Sequence, residues 1–279
     1  MQRGFHADAL GSVDAKPGWG ALVTFWELKG FVMENAQLIT LSRISALERQ
    51  MNVVANNLAN VNTTGYKGEN LLFEEYLMPV ASAEEFKSGD RELRFVLDDR
   101  TIGNFETGNI ETTGNQTDVA IKGEGFFAVQ TPAGERYTRD GSFTLNDQGQ
   151  LTTHSGFPVL GEGGPLQFDP ADTSITITGN GTVSAQSGEI GRIRIVTFDD
   201  VQTLNRKGQN LFEGENPQVL ETPLLAQHAL ETANVDAVNQ ISQMIQVQRA
   251  YEQLANMMSQ QNDLRENAIQ TLGRVQVNA

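Results

Sequence analysis

The sequence predicts an α+β protein: two long helices, one near each end and paired in a coiled-coil-like way, with a β-rich middle domain between them. Three observations carry this. An apolar stripe of helical period runs through residues 36–61, and a second runs through 234–275. Between them, 18 of the 27 glycines fall within residues 101–220 at turn-like intervals.

Residues 1–32 show no clear periodicity and are punctuated by Gly4, Gly11, Pro17, Gly18, Gly20 and Gly30. They read as a disordered or poorly docked extension, or a mis-annotated one, dispensable and with translation expected to start at Met33; the alternative is an added contact segment anchored by Phe25, Trp26 and Phe31. The apolar run from Ala21 to Met33 is interrupted by Glu27 and Lys29 and lacks the flanks of a cleaved signal.

The N-terminal unit is expected over 33–67. Leu41, Ile44, Leu47, Met51, Val54, Leu58 and Val61 recur at steps of 3, 3, 4, 3, 4 and 3, one apolar stripe. Asn62-Thr63-Thr64-Gly65 should end the helix, since glycine accepts the left-handed cap. Asn52, Asn56 and Asn60 form a polar ladder beside the stripe. Such a ladder either faces solvent or sets helix register in an assembly.

Residues 68–100 read as an acidic linker or arm, broken by Pro79. The β-rich domain is expected over 101–220. Ile175–Thr178 and Thr182–Ser184 flank Gly179-Asn180-Gly181, a hairpin pattern. Arg192–Ile195, Phe126–Val129, Tyr137–Leu145 and Phe157–Leu160 supply further short strands.

The C-terminal unit, 221–279, contains a helix over 234–275. Met244, Val247, Tyr251, Leu254 and Met258 follow steps of 3, 4, 3 and 4, the spacing of a coiled-coil seam. Leu264, Ala268, Leu272 and Val275 resume a stripe after a slip. Of these 42 residues only seven are charged, while 13 are Asn or Gln. Weakly charged, amide-rich faces suit packing against other helices, because amides pair without burying a charge. The same pattern also fits a two-helix hairpin within one monomer.

Charge separates the parts. The chain carries −15 at pH 7. Residues 100–220 hold 15 acidic and 8 basic side chains, whereas residues 34–70 hold three of each. An acidic chain without clustered Lys and Arg does not suit nucleic acid. With no cysteine, disulfides and thiol chemistry are excluded. His6, His154 and His228 lack metal-ligand spacing. Gly123-Glu124-Gly125-Phe126-Phe127-Ala128 matches a loose dinucleotide pattern, but strand-like residues follow where a helix N-terminus is needed. No catalytic residue, metal, cofactor or small-molecule substrate is expected. Carboxylates in the β region leave a wall-glycan-binding or glycan-cleaving protein as the competing class.

The run Ala55-Asn56-Asn57-Leu58-Ala59-Asn60-Val61-Asn62-Thr63-Thr64-Gly65-Tyr66-Lys67 resembles the N-terminal signature of the bacterial flagellar basal-body rod protein family. Glu231-Thr232-Ala233-Asn234-Val235, with Met244 and Tyr251 downstream, resembles its C-terminal signature. Thr107-Gly108-Asn109, Asp118–Phe127 and Tyr137–Phe143 resemble the β domain shared by rod and hook proteins. The resemblance covers residues 34–279. It implies a structural, non-enzymatic subunit of the proximal rod, with the distal rod as the alternative. It further implies export through the flagellar export apparatus without a cleaved signal, and polymerisation with copies of itself and other rod proteins. The terminal helices would form the inner tube of a periplasmic drive shaft.

Overall fold

The computed structural model describes residues 20–78, 93–169, 172 and 174–275. Helix α1 spans Gly20–Ala59 and helix α2 spans Ala237–Val275, 40 and 39 residues. At 1.5 Å per residue each is about 60 Å in length. Asn57 donates to Gln240 at 3.4 Å and the Tyr251 hydroxyl to Glu48 at 3.3 Å, so the two helices run antiparallel.

Both helix starts differ from the sequence boundaries. Residues 20–32, read as part of an unstructured extension, instead open α1. No proline interrupts residues 20–59, and the glycine at 30 costs only about 1 kcal/mol against alanine. The expectation for residues 1–19 lies outside the described residues. Helix α2 begins three residues after the periodic pattern does, because Asn234 is used elsewhere and Asp236 serves as the cap. Its Oδ1 accepts from the amides of Val238 (2.9 Å) and Asn239 (3.3 Å). At its C-terminus α1 stops at Ala59. The Asn60 amide is shared between the Asn56 and Asn57 carbonyls at 3.2 Å each, and Gly65 completes the reversal at φ +63°.

The segment read as a linker or arm contains an antiparallel ribbon, Glu69–Met78 with Leu93–Gly103. Its register runs from Glu69↔Gly103 to Met78↔Leu93, with a bulge between Leu72 and Phe73.

The β domain centres on a six-stranded antiparallel sheet in the order Asn205–Arg206, Leu211–Glu213, Gly134–Thr138, Phe126–Thr131, Ile195–Thr197, Gln218–Val219. Its central strand, Phe126–Thr131, feeds two cores through the two-residue period of a strand. Phe127 and Val129 join Val119, Phe143, Leu151 and Ile193 on one face. Phe126 and Ala128 join Tyr137, Val196 and Phe212 on the other. Edge-to-face aromatic pairs line both, Phe127 with Phe143 at 5.0 Å and Phe126 with Phe212 at 5.8 Å.

The expected hairpin forms, Ile175–Ile177 against Thr182–Ala185, with Gly181 at φ +89° in its turn. Two expected strands are broken. Arg192–Ile195 divides between Gly188–Arg192, in the hairpin's sheet, and Ile195–Thr197, in the six-stranded sheet. The alternation survives the division, for Ile193 and Ile195 are both buried. Tyr137–Leu145 divides at a turn, because Gly141 lies where a Cβ would sit 1.7 Å from the Val119 carbonyl oxygen. No side chain fits there, and the chain must leave the sheet to make that approach.

The Asp236 cap gives a direct expectation. Asp236→Ala should destabilise the fold by about 0.5–2 kcal/mol in urea unfolding. Hydrogen exchange should quicken first at the amides of Val238 and Asn239. Unchanged exchange at both would contradict the capping role.

Candidate assembly interface

Burial along the helices follows the apolar stripes. On α1, Val54 is buried and Ile44, Leu47, Met51 and Leu58 are half-buried, as is Val61 just beyond its end, while Leu41 is 54% exposed. On α2, Val247 is buried and Met244, Tyr251, Leu254 and Met258 are half-buried, between exposed neighbours. The start of the resumed stripe is not covered in the same way, and the side chains of Leu272 and Val275 lie outside the described residues. Leu264 is 70% exposed and Ala268 is exposed. In the asparagine ladder Asn52 and Asn56 are exposed, and Asn60 donates back to the Asn56 carbonyl (2.9 Å) and side-chain oxygen (3.0 Å).

Where the helices meet the β domain, the motif residues split into outer and inner sets. Ala55, Asn56, Ala59 and Asn62 face outward. Asn57, Gly65, Tyr66 and Lys67 are buried. Asn57 uses its whole amide. Its oxygen accepts from the Glu69 amide (2.9 Å) and the Tyr66 hydroxyl (3.1 Å), and its nitrogen donates to the Glu69 carbonyl (2.7 Å) and to Gln240. One side chain thus ties the end of α1, the start of the ribbon and the start of α2. Burial raises the pKa of the Tyr66 hydroxyl, keeping it a neutral donor, with the nearby Arg206 working against that shift.

Lys67 leads to a buried ion triad. Its Nζ donates to Glu231 Oε1 at 2.6 Å and to the Glu106 carbonyl at 2.6 Å. Arg139 Nη1 reaches the other carboxylate oxygen, Oε2, at 3.3 Å, while its Nη2 donates to the Gly123 carbonyl at 2.6 Å. The Gly108 amide also donates to Oε1, at 2.8 Å. The Lys67 and Glu231 side chains are each 1% exposed and that of Arg139 is 3%. Burial lowers the pKa of Lys67 and of Arg139, and the Glu231 charge works against that lowering in both. The carboxylate is what permits two cations to stay charged in one buried site.

Backbone bonds close the same junction. The Gly65 amide donates to the Glu231 carbonyl (2.7 Å) and the Gly68 amide to Asn234 Oδ1 (2.8 Å). Asn234 Nδ2 donates to the carbonyls of Asn104 (2.8 Å) and Glu106 (3.0 Å). Gly65 is required twice over. Its φ is left-handed, and a Cβ would lie 2.4 Å from the Arg139 carbonyl carbon.

Sequence reasoning placed Lys67, Glu231 and Arg139 in three separate motifs and did not join them. The available signal was a single charged residue in two of the motifs, Lys67 and Glu231, and the adjacent Arg139 and Asp140 in the third. In the β domain, Glu162, Glu135 and Glu213 pair with Arg192, Arg194 and Arg136 respectively. Gly123 and Gly125 turn into the strand Phe126–Thr131, not into a helix. No group of metal-holding side chains occurs among the described residues.

The triad makes unequal predictions for its members. Glu231→Gln leaves two buried cations without a counter-charge and should cost about 3–5 kcal/mol. Lys67→Met leaves the Glu231–Arg139 pair intact and should cost less, about 1–3 kcal/mol. Urea unfolding of both variants checks the order, and equal losses would contradict a shared carboxylate.

Comparison with known proteins bears on the same segments. The model described as "Flagella basal body rod protein" matches residues 38–67. "Flagellar hook protein FlgE/F/G D1 domain" matches 120–185, and "Flagellar basal body rod FlgEFG protein C-terminal" matches 226–271. The chain is 40% identical to the flagellar basal-body rod protein FlgF of Caulobacter vibrioides, over 87% of this chain and all of that protein. It is 32% identical to FlgF of Mesorhizobium japonicum, over 86% of this chain and 99% of the relative. Identity to the rod protein FlgG of Buchnera aphidicola subsp. Schizaphis graminum is 35%, over 77% of this chain and 90% of the relative. With the rod motifs folded into one junction and these matches spanning most of its length, the chain belongs to the flagellar basal-body rod protein family, on its FlgF-like side.

Proposed function

We propose that this structural rod subunit polymerises through α1 and α2, packed as a coiled-coil-like pair, with copies of itself and with other rod proteins. The observation that carries the reading is the unequal finish of the helices. Met244, Val247, Tyr251, Leu254 and Met258 are at least half-buried, yet Ile241, Ile245, Leu264 and Ile269 stand exposed on the same helix. Each fully buried side chain of this size contributes about 1.5–3 kcal/mol, so a single copy leaves much stabilisation unrealised. Neighbouring copies supply it.

The charge map supports the same arrangement. The weakly charged helices take the crowded inner positions, and the acidic β domain faces outward, where repulsion between copies is relieved by water. The subunit acts mechanically, without catalysis or a bound cofactor. The buried triad holds the helices to the β domain, so that torque entering one reaches the other. The chain reaches the rod through the flagellar export apparatus without a cleaved signal.

Leu254→Asp tests the seam. A charge there pays desolvation in any packed arrangement, whereas the β cores lie elsewhere in the fold. Incorporation into basal bodies should be lost, with near-native β-sheet circular dichroism retained in the purified variant. Wild-type incorporation would show that the seam is not used. A clean deletion of the gene should stop rod completion and abolish motility, and normal flagella in that strain would overturn the reading.

A further inference from the structure

The chain holds no cysteine, so its seven methionines are its only sulfur. No thiol competes with them for an oxidant. Met51 on α1 and Met244 on α2 lie on the covered stripes of the helix pair and are half-buried. Met257, also on α2, is 41% exposed. Residues 101–220 contain no methionine at all.

The register sets Met51 and Met244 at the tightest point of the pair. Asn57 bonds to Gln240 and Tyr251 to Glu48. Between those fixed points Met51 is level with Val247, and Met244 with Val54. The two valines are 4% and 3% exposed, the most deeply buried apolar side chains of their helices among the described residues. Each helix thus sets a methionine beside the buried valine of the other. A thioether is flexible and apolar, and fills such a gap without strain.

Oxygen on that sulfur reverses the fit. The thioether attacks one oxygen of a peroxide, the O–O bond breaks and an S–O bond forms. The sulfur is oxidised to the sulfoxide, and the peroxide is reduced to water. The new group is polar and chiral, and beside a buried valine an unpaired polar group is costly.

We infer that Met51 and Met244 form an oxidant-sensitive clip between the helices. A peroxide converts both to sulfoxides and the helix pair loosens; reduction of the sulfoxides closes it again. In one copy the helices are covered on one side only, so a small peroxide reaches half-buried sulfur as the pair opens locally. Met257 reacts first, because it is the more exposed, and its sulfoxide stays in water and leaves the pair closed. The two β cores, without methionine, are indifferent to the oxidant. The inference goes beyond the proposed polymerisation and does not rest on it, because the change is read in a single chain.

The purified full-length chain is treated with hydrogen peroxide. Peptide mass spectrometry follows oxygen uptake at each methionine, and amide hydrogen exchange follows the helices. Exchange in residues 44–54 and 244–254 should quicken by about ten- to a hundredfold as Met51 and Met244 are oxidised. Exchange in the β domain should not change. Methionine sulfoxide reductases should restore the original helix exchange. Met51→Leu with Met244→Leu keeps volume and apolarity, so that variant should fold as before and keep its helix exchange slow in peroxide. Met257→Leu should respond as the unmodified chain does. Unchanged helix exchange with both sulfoxides in place would overturn the inference. So would a double variant that loosens in peroxide as much as the unmodified chain, or Met51 and Met244 left unoxidised after Met257 is fully converted.

Discussion

The carboxylate of Glu231 is the point at which the two ends of the chain and its β domain become one body. It accepts from Lys67, which follows α1, from Arg139, which follows a strand of the central sheet, and from the Gly108 amide. An ion triad of this kind adds little net stability over a well-packed apolar cluster, because three charges must be desolvated. Its value lies in geometry. An apolar cluster tolerates sliding, whereas a carboxylate with three fixed donors has one arrangement. Strict requirements elsewhere follow from it. Gly65 must be glycine to let the Lys67 segment lie against the Arg139 backbone, and Asn57 and Asn234 must be amides to satisfy the backbone groups that the junction buries.

This rigid junction joins two kinds of stability. The β domain is complete in one copy, for its central strand is buried on both faces and closes two cores. The helices are finished on one side only. A subunit built this way can keep its β domain folded, and the helix ends fixed to it, in a single copy. In the assembly proposed above, copies meet through the weakly charged helices, and the acidic β domains stay apart from one another.

Arg206 shows how the junction is sealed from outside. Its guanidinium stacks over the Tyr66 ring at 4.6 Å and the Phe212 ring at 5.2 Å, pairs with Glu69 at 2.7 Å and donates to the Lys67 carbonyl. It therefore links the buried end of the N-terminal motif to the second core of the β domain. Cation–π stacking and a charge-assisted bond from one planar group combine direction with charge.

The sequence by itself determined the parts whose signals are local. Periodicity identified the covered stripe of α2 from Met244 to Met258, glycine chemistry identified the end of α1 and the Ile175–Ala185 hairpin, and three short motifs pointed to the family. Tertiary structure decided what depends on distant partners. Arg192–Ile195 alternates like one strand, but its two arginines take partners on different segments, Glu162 and Glu135, and the strand divides between them. Helix α1 begins at Gly20, although no apolar period marks its first residues. Above all, nothing in the spacing of Lys67, Arg139 and Glu231 shows that they meet. Pairing in space is a long-range property of the closed sheet and the helix ends, whereas period and turn chemistry act within a few residues of the chain.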